Sequence, residues 1–203
     1  QPRGRSSARA VDLHVADGSQ IVSQLANGPR LTVSVGARGT ERYGSCLARL
    51  DTPRLAQGYL PILETSYVDA DGVRYRQESF AARIAQTRAL VSFVRVSVDP
   101  RGTRVRSALV RFTVSDRHVS RVGRQLRRGP RVRLLFARGA RVEGRSVVFA
   151  AARPRVVYAA WLNQPKRTRP LRLGRAAYEH ARRSVVAYWA HRLAAGGELV
   201  VPE

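Results

Sequence analysis

The chain has 203 residues, 44% of them hydrophobic, which is enough for one large β domain with a sizeable core and excludes global disorder. No run approaches the roughly 18 apolar residues of a membrane-spanning helix, and no secretory leader is visible. The charge is lopsided, with 37 Lys+Arg against 14 Asp+Glu for a formal +23, yet Lys166 is the one lysine, leaving 37 − 1 = 36 arginines. Phosphate-binding surfaces commonly use both cations. Near-total arginine with abundant Ala, Val and Gly reads first as compositional bias, with polyanion binding as the second reading.

The chain has no methionine and starts at Gln1, so it reads as a piece processed or excised from something longer. Residues 1–10 lack apolar periodicity and are expected to form a flexible basic tail. Short strands follow from Val11. Leu13 and Val15 alternate, Asp17-Gly18 turns, and Asn27-Gly28-Pro29 turns again before Leu31, Val33 and Val35. Three glycines make 36–44 a loop. The clearest hairpin lies between Tyr59 and Ala82. One strand runs Leu60 to Tyr67, Asp69-Ala-Asp-Gly72 turns, and Val73, Tyr75, Gln77 and Ser79 then alternate with Arg74, Arg76, Glu78 and Phe80.

Val94, Val96 and Val98 share one strand face. Val110, Phe112 and Val114 share another, opposite Arg111 and Thr113. This is period 2, the mark of a half-buried strand. More short strands follow at Val132–Phe136, Val142, Val147–Phe149 and Val156–Tyr158. Many short strands without alternating helices predict an antiparallel β-sandwich over 11–161, its core holding Val94, Val96, Val110, Phe112 and Val114. Asn163 to Pro170 reads as a linker. Gly174 to Ala195 reads as a long helix whose apolar stripe is Ala177, Tyr178, Ala181, Val185, Tyr188 and Trp189, stopped by Gly196-Gly197. That stripe must bury against something, and the abrupt end at Glu203 is how a domain cut at its boundary looks.

No self-sufficient catalytic set emerges. Glu64, Asp69 and Asp71 are the densest acidic cluster, but Asp69 and Asp71 fit a turn with Gly72, and no acids are placed to face each other across a cleft. Asp-Ala-Asp-Gly echoes part of a calcium loop without its remaining ligands. His180 and His191 lie roughly 16 Å apart along one helix, too far to share a metal; His14 and His118 join no ligand pattern. The single Cys46 leaves no partner for an intrachain disulfide or a cysteine-based zinc site and is expected to be a small core residue. No nucleophile elbow, phosphate loop or dinucleotide fingerprint occurs. No catalytic, cofactor or metal residue is therefore assigned. Arg121, Arg124, Arg127, Arg128, Arg131 and Arg133 form the best polyanion candidate, without aromatics for base stacking.

Four segments carry a resemblance: Tyr-Leu-Pro-Ile-Leu-Glu-Thr-Ser-Tyr67, Asp-Gly-Val-Arg-Tyr-Arg-Gln77, Ser-Phe-Ala-Ala82 and Leu-Val-Ser-Phe-Val-Arg-Val-Ser-Val98. In this order they resemble the N-terminal β-sandwich of bacterial six-hairpin glycosidases, which have an (α/α) toroid catalytic domain. Ala-Arg-Arg-Ser-Val-Val-Ala-Tyr-Trp189 and Gly-Glu-Leu-Val-Val-Pro-Glu203 resemble the linker helix and the lead into that toroid. The resemblance implies a non-catalytic accessory domain, with 162–203 leading to a toroid of the same parent chain that carries the catalytic acids. It also implies a place along the wall of a carbohydrate cleft. The rival readings are a basic polyanion- or nucleic-acid-binding β module and a carbohydrate-binding sandwich acting alone. The cellular compartment stays open.

Overall fold

The computed structural model describes residues 12–23, 28–83, 90–162 and 172–195; the expected tail, linker and helix stop lie outside them. In chain order the strands are β1 (Asp12–His14), β2 (Gln20–Ser23), β3 (Arg30–Gly36), β4 (Glu41–Arg42), β5 (Arg54–Ala56), β6 (Leu60–Val68), β7 (Arg74–Arg83) and β8 (Leu90–Asp99). They continue as β9 (Ala108–Val114), β10 (Ser120–Val122), β11 (Gln125–Arg128), β12 (Arg131–Phe136), β13 (Ala140–Glu143), β14 (Ser146–Ala151) and β15 (Arg155–Trp161), followed by helix α1 (Arg175–Ala195). The smaller sheet runs β1-β2-β3-β9-β14-β13, with β4 also on β3, and the larger runs β10-β11-β12-β15-β8-β7-β6-β5. The described pairings are antiparallel, as the hairpin-rich sequence requires.

The space between the sheets is the main core. Val94, Val96, Val110, Phe112 and Val114 are all fully buried in it, as their period-2 spacing predicts, together with Leu31, Val35, Tyr67 and Trp161. β9 shows the cause most simply: Ala108, Val110, Phe112 and Val114 are buried while the residues between them are partly exposed. Cys46 packs partly buried at the rim of this core. Leu13, expected to alternate inward, is instead 59% exposed, because β1 is an edge strand and its buried contacts come from His14. The 36–44 loop contains the short strand β4.

Two turns hold the sheets in register. At Asp69-Ala-Asp-Gly72, Asp69 Oδ1 accepts the backbone N–H groups of Asp71 and Val73, and its Oδ2 accepts the Tyr75 hydroxyl at 2.7 Å. The Asp17-Gly18 turn presses on the larger sheet, where Gln77 Nε2 donates to the Gly18 carbonyl at 2.8 Å. Gly18 has φ +76, and a Cβ there would fall 2.8 Å from both Gln77 Nε2 and Thr65 Oγ1, so this turn needs glycine on two counts.

The larger sheet is covered on both faces. Period-2 burial gives way to continuous burial from Gln77 to Phe80 in β7, from Val91 to Val94 in β8 and from Ala159 to Trp161 in β15. These stretches mark the footprint of α1, which forms a second apolar cluster from Ile62, Phe80, Phe93, Ala160, Tyr178 and Val185 among others. The helix stripe divides along its length. Tyr178, Ala181 and Val185 are buried, but Ala177 is exposed and Tyr188 and Trp189 are 53% and 38% exposed. Of the stripe, which is expected to dock in part on the sandwich and in part on a further domain, the sandwich takes Tyr178, Ala181 and Val185.

His14 supplies a pH test of this packing. Its ring nitrogens lie 2.8 Å and 3.2 Å from the hydroxyls of Ser79 and Ser92, and burial lowers it from 6.5 to about 4. The unfolded chain takes up a proton near pH 6.5 that the native site declines until about pH 4. Stability is therefore full above pH 6.5 and falls on acidification towards pH 4, by on the order of 3 kcal/mol from this group. Urea unfolding across that window should show His14→Gln losing less stability than wild type; equal slopes would contradict the assignment.

Candidate functional site: the outer face of the larger sheet

Strand register writes a row of charge across the face away from the smaller sheet. Arg54 on β5 stands opposite Glu64 on β6, Glu64 opposite Glu78 on β7, Glu78 opposite Arg95 on β8, and Arg95 opposite Tyr158 on β15. Neighbours in such a row have Cβ atoms about 5 Å apart. At one end Arg54 Nε meets Glu64 Oε2 at 3.0 Å in solvent. In the middle Glu78 is 4% exposed beneath α1. The Tyr178 hydroxyl donates to its Oε1 at 2.5 Å, Arg182 Nε donates to both its oxygens at 3.1 Å, and Arg95 lies 3.7 Å from Oε2.

Tyr178 fits this position as a donor with an apolar body. Its ring centroid lies 5.2 Å from those of Phe80 and Tyr158 and 6.3 Å from that of Phe93, and the Arg95 guanidinium sits 5.7 Å above it. Burial, followed by the Glu78 carboxylate, pushes the hydroxyl far above its usual range, so it remains protonated and donating. A carboxylate in an apolar interface is tolerated only when its acceptor sites are filled. Tyr178 and Arg182, four residues apart on one helix face, fill them.

Beyond the helix footprint the face is open and polar. A hollow of about 420 Å³ is lined by Asp51, Arg54, Glu64, Arg76, Glu78 and Arg95 among others. A second, of about 550 Å³, is lined by residues including Arg74, Arg76, Asp99, Arg101 and Arg155. The Arg101 side chain, bonded to Asp99 at 2.6 Å, holds that carboxyl down to about 2. A third hollow, about 340 Å³, lies where α1 leaves the sheet and is lined by Ala82, Leu90, Val185, Tyr188 and Trp189 among others.

The residues singled out in the sequence scatter. Asp69 and Asp71 serve the β6–β7 turn, and Glu64 lies on the sheet face away from them. The sheet does set Glu64 beside a second acid, Glu78, which the sequence reading did not pair with it. The two stand on adjacent strands rather than across a cleft, and Glu78 is covered and saturated with donors, so the pair has no free acid and base. His118, His180 and His191 are exposed. The arginine cluster dissolves into separate roles. Arg133 is buried, with Nε 2.8 Å from Asp116 Oδ2 and Nη1 donating to the Leu162 carbonyl, while Arg128 lies 3.6 Å from Asp116 and Arg121 and Arg131 are exposed.

Among the described residues no group of three or more His, Cys, Asp or Glu could hold a metal ion, and no helix is long and apolar enough to cross a membrane. No protein-family model matches the chain, and searches of curated proteins and of solved structures give no match. What the arrangement offers is a docked helix, an aromatic ledge at its far half and an open polar trough at the other end of the same sheet.

The buried network makes a quantitative demand. Tyr178→Phe should cost about 2 kcal/mol, the scale of a hydrogen bond to a charged group. Glu78→Gln should cost about 3 kcal/mol by stranding Arg182 and Arg95. In urea unfolding the double variant should lose at least about 1 kcal/mol less than the sum; simple additivity would mean the two groups do not interact.

Proposed function

We propose that the chain is a non-catalytic structural module of a carbohydrate-active, glycoside hydrolase-like enzyme, packing against an (α/α) toroid through the far half of α1. The observation that carries the reading is the divided helix stripe. Tyr178, Ala181 and Val185 are spent on the sandwich, whereas Tyr188, Trp189 and Leu193 remain exposed beside an apolar-lined hollow. Exposed aromatics of this size on one ordered helix mark a contact surface rather than a solvated face. The resemblance to the six-hairpin glycosidases names the partner: there the corresponding helix leads to the toroid, and the toroid holds the catalytic acids. The open trough occupies the opposite end of β7 and β8 from this ledge, where it can form part of a cleft wall.

The arginine excess does not favour the polyanion-binding reading as strongly as its size suggests. The densest arginine stretch, 121–133, is divided between a buried ion pair and exposed positions rather than gathered into one patch.

Two measurements test the proposal. The purified chain should turn over no glycoside; turnover that disappears in Glu64→Gln would contradict a non-catalytic module. In sedimentation, wild type should self-associate with rising concentration through the bare ledge, and Trp189→Ala should reduce that association while lowering stability by less than about 1 kcal/mol, since the side chain is not buried on the sandwich. A monomeric wild type, indifferent to Trp189→Ala, would remove the docking surface.

A further inference from the structure

The open half of the outer face contains two arginines, Arg74 and Arg76, whose side chains make no hydrogen bond or ion pair among the described residues. Arg54 is paired with Glu64, Arg95 with Glu78 and Glu179, and Arg101 with Asp99. Arg155 donates to the Ala150 carbonyl at 2.6 Å. Arg76 has no such partner among the described residues, and it alone of these lines both polar hollows. Strand register sets Ser66 directly opposite it on β6 and Ser97 directly opposite on β8. Neither hydroxyl has a hydrogen-bond partner among the described residues, and each lines one of the hollows. An arginine with a serine as its cross-strand neighbour on each side supplies a guanidinium fork and two hydroxyls from three adjacent strands, the donor types that a planar oxyanion takes.

We infer that this trough binds an acidic oligosaccharide, with a uronate carboxylate seated on Arg76 between Ser66 and Ser97. The trough crosses β5, β6, β7, β8 and β15, four strand spacings or roughly 19 Å, which accommodates a short oligomer. Its charge pattern selects the ligand. Asp51, Glu64 and Asp99 lie with Arg76 in the two hollows, where they accept hydrogen bonds from sugar hydroxyls, donors that a phosphate backbone lacks. Among the described residues no aromatic ring lines either hollow, which gives bases no stacking surface and a neutral sugar no platform there. A ligand with both hydroxyls and a carboxylate satisfies this set. The inference deepens the carbohydrate reading above by naming the substrate class, and it uses a face separate from the Trp189 ledge.

The test is calorimetric titration of the 203-residue chain at about 0.15 M salt, where surface charges beyond about 8 Å are screened. The probes are a short oligogalacturonate, its methyl ester and an oligothymidylate of matched length. The acid should bind, and the ester and the oligothymidylate should each bind at least about ten-fold more weakly. Arg76→Ala should weaken the acid about ten-fold or more, whereas Arg145→Ala, removing an equal charge from an exposed turn of the smaller sheet, should leave it unchanged. Ser66→Ala with Ser97→Ala should also weaken binding, an independent check should Arg76→Ala fail to fold. No binding of the acid, equal losses in Arg76→Ala and Arg145→Ala, or equal binding of the oligothymidylate would overturn the inference. Altered self-association in Trp189→Ala would bear on the docking surface alone, so the two readings can fail separately.

Discussion

Glu78 sits on a sheet face that a helix covers, and the rest of the arrangement follows from satisfying it. Left unpartnered under Phe80, Phe93 and α1, its carboxylate would destabilise the interface by several kcal/mol. Tyr178 and Arg182 meet it from the helix, and Arg95 meets it from the next strand. These contacts fix the rotation and the lengthwise position of α1, because Tyr178 and Arg182 converge on one carboxylate, whereas the other such pair on the helix, Tyr188 and Arg192, bonds only to itself among the described residues. Apolar packing of Tyr178, Ala181 and Val185 supplies attraction, on the order of 2–3 kcal/mol for a large side chain, but little direction. The carboxylate supplies the direction.

Fixing α1 there has two consequences for function. The helix covers the Phe80–Phe93–Ala160 side of the larger sheet and leaves the Arg74–Arg76 side open, so one β-sheet has a closed half and a polar trough. The helix also runs on beyond its footprint, carrying Tyr188, Trp189 and Leu193 into solvent as an ordered ledge. An isolated helix of this length is marginal in water, so the ledge keeps its shape because the first half is docked. The ledge and the trough therefore depend on one anchoring network.

The strand core was legible in the sequence because period 2 needs no long-range information: Val94, Val96, Val110, Phe112 and Val114 announce their own face. So were the Asp17-Gly18 and Asp69–Gly72 turns, whose residue types answer local backbone demands. Glu78 was not legible as a buried group. On the same strand face as Arg74 and Arg76, it looks solvated, and its helix partners lie 100 and 104 residues further on. A usable signal did exist, in the loss of alternation at Ser79-Phe-Ala-Ala82 and Ala159-Ala-Trp-Leu162, where continuous apolar residues show a sheet with two buried faces. Short polar edges such as β5 and β10 gave no signal, and Arg121–Arg133 resembled one patch because charge alone does not report that Arg133 turns inward to Asp116.

The most direct test of this anchoring is amide hydrogen exchange along α1. Docking through Glu78 requires amides from Tyr178 to Val186 to be protected to nearly the same degree as those of β7 and β8, with protection declining from Tyr188 towards Leu193, where the helix stands clear of the sheet. Glu78→Gln should lower protection in the helix while leaving β3 and β9 unchanged. A helix that exchanges throughout as fast as an unstructured peptide, on a sheet that remains protected, would contradict the account.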